Sequence, residues 1–242
     1  MGPGVLPESP AELKGWGFVC ALPRECATLT GARRPVGSLW AFVAGAQVVV
    51  TGMGAAAAAA GAQRLVDEGA CGLVSWGTCG GLDPRLRPGD IVVATVVTDG
   101  TGCQYAVDES WSRHVQGRAS GPVVRGPLVT AAAMVAGVDA KKALRAHSGA
   151  CAVDMESAAI AKVAVHCGRP FMVIRAVVDA ADAALPQAIA AAVRSNGDLA
   201  WAVFFRHLGW SWRAWQDVAV LARSAHAAER ALRALARDVV PC

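Results

Sequence analysis

No basic run longer than a pair occurs in this chain of 242 residues: positive charge clusters no further than Arg33-Arg34 and Lys141-Lys142, and the net charge is only +4. Binding a phosphodiester backbone needs a concentrated basic face, so nucleic acid is excluded and a small-molecule partner is expected. Charged residues make up 17% of the chain against 54% hydrophobic, a balance that rules out disorder and allows one large core. None of the eight cysteines forms a C-x-x-C pair, and most lie within apolar runs, which predicts reduced core thiols in a cytoplasmic protein, with no disulfides and no metal site. The first residues, MGPGVLPESPAELKG, mix acids and prolines without the basic-then-apolar order of a signal peptide.

Formal charge is also missing from Val36 to Gln63, a stretch longer than a membrane span requires. Glycines at 37, 45, 52, 54 and 61 and a change from VVVT to polyalanine predict strand, turn and helix there, with no span.

From Trp16 onward short β-branched runs alternate with helical ones. WGFVCAL, SLWAFVA, AQVVVTG, CGLVSWGT, IVVATVV and PFMVIRAVVD predict strands. PRECATLTGA predicts a helix or long turn, AAAAAAGAQRLVDEG, AKKALRAH and VDMESAAIAKVAVHCG predict helices, the polar stretch 99–126 a loop, and the chain from about Leu185 a helical, tryptophan-rich tail. The expected fold class is α/β: a single domain over 1–242, core about 16–235, with a central mixed, mostly parallel twisted sheet flanked by helices.

Two glycine turns follow strands. Gly52-Met53-Gly54 precedes a helix and so offers backbone N–H groups to an anion, but Ala57 stands where a dinucleotide fingerprint needs its third glycine, and no Walker pattern exists. Thr78-Cys79-Gly80-Gly81 places a hydroxyl and bare backbone at the carboxyl edge of a sheet, where ligands of open α/β sheets bind. Asp154 and Glu156, in AVDMESAAIA, have a bland explanation as helix-capping acids.

Four segments stand in fixed order: CALPRE, G-x-G before an alanine helix, GTCGGL followed by RPGDIVV, and VDMESAAIA followed by PFMVIRAVVDAAD. This order resembles the purine nucleoside phosphorylase and nucleosidase superfamily, most closely its methylthioadenosine/S-adenosylhomocysteine nucleosidase branch, from about Phe18 to Asp182. VDMESAA, DAADAALP and the tail VLARSAHAAERAL also look like the hopanoid-associated phosphorylases, a group thought to remove adenine from adenosylhopane.

The resemblance implies cleavage of a purine N-glycosidic bond. In it Asp179 matches the general acid to purine N7, although Val178 replaces the serine often found before that acid. Glu156 matches the acceptor of the ribose hydroxyls, Met155 packs beside the sugar, and Asp154 stands where many relatives carry glutamate. Glu25 matches the residue that activates water, with Thr78 and Gly80 at the same edge. Met134 and Val135 align near the residues that stack on and edge the purine; helical core packing explains them equally well. Arg175 is expected to form a structural ion pair, with Glu156 or Asp179 as partner. Phosphorylases of the family carry arginines where this chain has Glu25 and Ser75-Trp76, so hydrolysis is favoured over phosphorolysis; Arg24, Thr78 and Gly52–Gly54 leave inorganic phosphate as the alternative co-substrate, and no other cofactor is expected.

A catalytically silent nucleoside-binding protein is the rival of another class, disfavoured because Glu25, Glu156 and Asp179 are all retained. A dinucleotide-dependent oxidoreductase fails for want of the third glycine. In the tail, Trp201, Phe204, Phe205, Trp210, Trp212 and Trp215 are interleaved with Arg206 and Arg213. Helix packing or a homo-oligomer interface is the favoured explanation; a greasy entrance for a lipid-linked substrate, or peripheral membrane contact, is the sharper one.

Overall fold

The computed structural model describes residues 15–185 and 212–240. Its strands are β1 (Trp16–Cys20), β2 (Leu39–Ala41), β3 (Gln47–Val50), β4 (Gly72–Gly81), β5 (Ile91–Thr98), β6 (Gln104–Ala106), β7 (Val123–Thr130), β8 (Ala152–Asp154) and β9 (Phe171–Asp179). The helices are α1 (Pro23–Thr30), α2 (Ala55–Asp67), α3 (Glu109–Arg118), α4 (Val138–Ser148), α5 (Ser157–His166) and α6 (Trp212–Val239).

The strands join in the order β2-β3-β1-β4-β8-β7-β5-β6, while β9 pairs with both β4 and β5. Pairings β1–β3, β1–β4, β4–β9, β5–β7 and β7–β8 are parallel, and β2–β3, β4–β8, β5–β6 and β5–β9 antiparallel. The sheet is therefore mixed, as expected, and its β4, β9, β5, β7 and β8 close into a ring beside the open β1–β3 wing.

Strand periodicity sorts the core into two layers. Trp16, Phe18 and Cys20 of β1 and Met172, Ile174 and Ala176 of β9 face one side, where Cys26 of α1, Val115 of α3 and Leu232, Leu235 and Ala236 of α6 cover them. Val19, Leu73, Val173 and Val177 face the other, under Ala58, Ala62 and Leu65 of α2 and Ile160, Ala161 and Ala164 of α5. Both faces being covered explains why the central strands read as near-continuous apolar runs.

Two expectations are corrected. Residues 99–126 are not a loop: they contain β6, α3 and the start of β7. Asp108 caps α3 by accepting from the Trp111 N–H at 3.0 Å, and Trp111 packs edge-on against Trp16 at 5.1 Å, so a mostly polar helix is anchored by a few apolar contacts. The segment 153–168 does not start as helix: Ala152–Asp154 is a strand between β4 and β7, and the helix begins at Ser157. Three buried residues are too short a run for alternation to reveal. Val36–Gln63 resolves into strand, turn and helix, and among the described residues no helix is long and apolar enough to cross a membrane. Of the aromatic tail, Trp201, Phe204, Phe205, Arg206 and Trp210 lie outside the described residues, as do the side chains of Trp212, Arg213 and Trp215.

Candidate active site

The carboxyl ends of β1, β4, β8 and β9 open onto a cavity of about 430 Å³, lined among others by Glu25, Thr78, Gly80, Met134, Val135, Asp154, Met155, Glu156 and Asp179. Every sequence-predicted site residue thus reaches one space, drawn from segments more than 150 positions apart.

Glu25 arrives there because the chain leaves β1 through Leu22-Pro23, and proline at the first helical position is preset for a helix start. Three residues into α1 its carboxylate turns back: Oε2 accepts from the N–H groups of Ala21 and Leu22, both at 3.1 Å. Oε1 accepts from the Thr78 N–H at 2.9 Å and the Thr78 hydroxyl at 2.8 Å. All four acceptor positions of the carboxylate are filled, and of the four donors only the hydroxyl can turn away without moving the backbone. Thr28 supports the helix from behind, donating to the Glu25 carbonyl at 2.6 Å and accepting from the Trp76 indole N–H at 2.8 Å.

Asp154 and Glu156 take different parts. Asp154 caps α5, accepting from the Ser157 N–H at 3.2 Å and from the Ser157 hydroxyl, and it also receives the Thr130 hydroxyl at 2.8 Å and Arg175 at 2.5 Å. The bland capping explanation is right for this residue. Glu156 stands at the N-cap position but makes no side-chain cap. Its Oε1 accepts from the Gly54 N–H at 2.9 Å, across the cavity floor, and its Oε2 from the Met155 N–H at 3.3 Å. Gly54 has φ +99°, a conformation that glycine adopts without strain, and this turns its N–H toward the carboxylate. The anion at the G-x-G turn is therefore the protein's own; Gly52 donates instead to the Ala21 carbonyl at 2.9 Å.

Arg175 is buried among these acids. It lies 2.5 Å from Asp154 and 3.8 Å from Glu156, and donates to Ser75 at 2.7 Å and Ser157 at 3.2 Å. Burial disfavours its charge, but Asp154, Glu156 and Glu25 outweigh that and raise its pKa above the ordinary value. The expected ion pair thus forms with Asp154 and Glu156 and not with Asp179. A Cβ on Gly77 would sit 2.6 Å from Arg175 Nη1 and 2.7 Å from Glu25 Cδ, so only glycine lets the two charged groups approach across β4. Burial holds the Glu156 carboxyl at about pKa 7, with Arg175 pulling down and Asp154 pushing up.

Asp179 ends β9 at a register shift against Cys79-Gly80 and is 7% exposed. Its partner is Lys141 of α4, which sequence reasoning missed by weighing Lys141-Lys142 only as a basic pair. Lys141 is fully buried; besides Asp179 Oδ2 it donates to the carbonyls of Ala180 and Ala183, both at 2.8 Å. The available signal is its spacing: Val138, Lys141 and Leu144 recur every three residues on one helix face. Burial pushes the Asp179 carboxyl above its usual range and Lys141 pulls it back.

Met134 and Val135 lie in the irregular connection between β7 and α4, not in a helix, and the Leu185 N–H fastens this connection by donating to the Ala136 carbonyl at 2.9 Å. The opposite wall is α6, where Val218, Leu221, Ala222 and Ala225 line the cavity. This i, i+3, i+4, i+7 stripe continues as Ala228, Leu232, Leu235 and Val239, which are buried against the sheet.

Residues 16–204 match the family model described as the phosphorylase superfamily. The chain belongs to this superfamily. Among curated members, the 5′-methylthioadenosine/S-adenosylhomocysteine nucleosidases of Geobacillus kaustophilus and Geobacillus thermodenitrificans are 33% identical across 56% of this chain and 67% of theirs. Solved structures of similar fold include the futalosine hydrolase of Helicobacter pylori (TM-score 0.65, 16% identity, 92% of this chain and 97% of that one). The S. pneumoniae 5′-methylthioadenosine/S-adenosylhomocysteine nucleosidase with a transition-state inhibitor gives TM-score 0.63 at 19% identity, over 92% and 98%. At these identities the solved structures establish the fold alone.

Proposed function

We propose that this superfamily member hydrolyses the N-glycosidic bond of a 5′-substituted adenosine and releases adenine. Asp179 donates its proton to N7, Glu156 accepts the ribose hydroxyls, and Glu25 receives a proton from the attacking water when the Thr78 hydroxyl turns away. General-acid assistance of this kind contributes about 10²–10⁴ in rate, and a carboxylate suits paired hydroxyls because it is acceptor-only when ionised. The observation that carries the hydrolytic choice is where the donors point. An attacking phosphate would need the N–H groups of Thr78, Gly52 and Gly54, yet these already serve Glu25, Ala21 and Glu156. Arg24, at the rim, faces Glu229 at 3.9 Å.

For the 5′-substituent the apolar stripe of α6 favours a hydrocarbon, and adenosylhopane, with a triterpenoid on C5′, is the substrate proposed. An adenine-release assay across 5′-substituted adenosines, with and without phosphate, tests both statements. Turnover is expected without phosphate, with kcat/KM for a long 5′-alkyl adenosine or adenosylhopane above that for methylthioadenosine. An absolute phosphate requirement refutes hydrolysis, and equal kcat/KM for the two substrates refutes the hydrocarbon preference.

A further inference from the structure

Lys141 stands out because nothing in the proposed chemistry calls for it. A buried ammonium is costly unless its three donors are all matched. Here they are: one proton goes to Asp179 Oδ2, one to the Ala180 carbonyl and one to the Ala183 carbonyl. The two carbonyls belong to the connection that follows β9 and leads to Leu185, itself a cavity wall. A single side chain from α4 therefore holds both the carboxyl group and the chain immediately beyond it. The neighbouring position 178, valine in this chain, supplies no hydrogen bond that could orient the carboxyl from β9.

Among the described residues few other polar groups bear on Asp179. From β4, Gly80 would place a Cβ 3.3 Å from Oδ2, and the Cys79 thiol, itself pushed well up by burial, adjoins it. From the β8 side, Asp154 and Glu156 line the same cavity but are tied to Arg175, as is Glu25 from α1 through the electrostatics of that cluster. From α6 only Val218, Leu221, Ala222 and Ala225 reach the cavity. Among the described residues Lys141 is thus the cation paired with this carboxyl, and Arg175 pairs with Asp154 and Glu156.

We propose that Lys141 is a positioning residue for the reaction: it fixes Asp179 toward the purine and stabilises the carboxylate left after proton transfer. This rests on the role proposed for Asp179. In the step, the Asp179 O–H bond breaks and its proton bonds to N7, while the C1′–N9 electron pair leaves with the base. Water oxygen bonds to C1′ and its released proton passes to Glu25, from which solvent returns one proton to Asp179. Lys141 keeps its three protons throughout, and its charge faces a neutral acid before the transfer and an anion after it. An adjacent cation makes the acid stronger and less often protonated at a given pH. Removing the cation should therefore do two things at once: weaken the acid where it is protonated and extend the pH range over which it stays protonated.

The test is the pH profile of kcat/KM for adenine release from methylthioadenosine by Lys141→Met, Lys141→Arg and the parent chain. Lys141→Met is expected to lower kcat/KM at least tenfold where Asp179 is protonated and to shift the basic limb upward by about one to three pH units, so its deficit shrinks as pH rises. Lys141→Arg should leave the limb within about half a unit of the parent. A uniform loss at all pH values with an unmoved limb, or a parent-like profile for Lys141→Met, overturns the proposal. If Lys141→Met does not fold, the pair Lys141→Met/Asp179→Asn decides: recovery of a cooperative melt supports a direct dependence of the two side chains on each other, and failure of both to fold overturns it. Asp179→Asn alone separates the layers. If it keeps parent activity, the acid role itself is wrong; if it is inactive while the Lys141→Met limb stays put, only the role of Lys141 falls.

Discussion

Glu156 should make nucleoside binding strongly pH-dependent. Its carboxyl is raised to about 7 by burial, with Arg175 opposing and Asp154 adding to the rise. Only the ionised form can accept both ribose hydroxyls, so the apparent dissociation constant scales as one plus the proton concentration over the acid constant. Between pH 8 and pH 6 this is about a tenfold weakening, ~1.4 kcal/mol, and at pH 5 it approaches a hundredfold. Asp179→Asn is the suitable background, because it halts turnover by removing the proposed proton donor. Calorimetry with methylthioadenosine, in buffers of differing ionisation heat, should find about 0.9 protons released per molecule bound at pH 6 and about 0.1 at pH 8. Adding Glu156→Gln should flatten the profile and weaken binding at pH 8 by about 2 kcal/mol, the worth of a charge-assisted hydrogen bond. The same residue predicts the direction of a stability effect. The carboxyl is protonated in the folded chain up to about pH 7 and ionised in the unfolded chain above about 4.5. Its contribution of ~3 kcal/mol is thus complete below pH 4.5 and lost as pH rises through 7. Equal dissociation constants at pH 6 and pH 8, with heats independent of the buffer, would refute the reasoning.

Two further outcomes are expected. Gly77→Ala drives a methyl group into Arg175 Nη1 and Glu25 Cδ at under 3 Å, so it should cost about 1–3 kcal/mol of stability and reduce kcat by at least tenfold; a variant with parent melting and parent turnover would show that the charged cluster tolerates displacement. Thr28→Val leaves the Trp76 indole N–H without its acceptor at a fully buried position, an expected loss of about 1–3 kcal/mol. Thermal melting checks it, and an unchanged midpoint would mean that the indole finds another partner.

The sequence carried the alternation of strands and helices because both faces of the sheet are covered, which turns buried strands into apolar runs bounded by glycine turns. It pointed to Glu25, Glu156 and Asp179, which line one cavity, because each stands in a motif whose order along the chain is itself informative. It did not reveal β8, whose three residues present no period. It also hid α3, whose face toward the core is built from few apolar side chains within a polar stretch. Lys141 was obscured for a different reason. A lysine beside a lysine reads as solvated charge, and only the neighbourhood assembled by β9 and its following loop shows where the buried ammonium finds three acceptors. The partners of Arg175 were open for the same cause: β9 places its guanidinium, but β8 and the start of α5 decide which acids meet it.

The four donors gathered on Glu25 carry a consequence for how such a site can change over generations. Two belong to the turn before α1, and two to Thr78 on β4. A descendant lacking that one carboxylate would keep all three backbone donors, because the buried turn before α1 and β4, which hold them, also build the core. The vacancy would suit a small tetrahedral anion, so the mutational distance between using water and using an inorganic oxyanion as the attacking partner is short at this position. Arg24, one residue away and already at the rim, supplies the cation such a conversion would require.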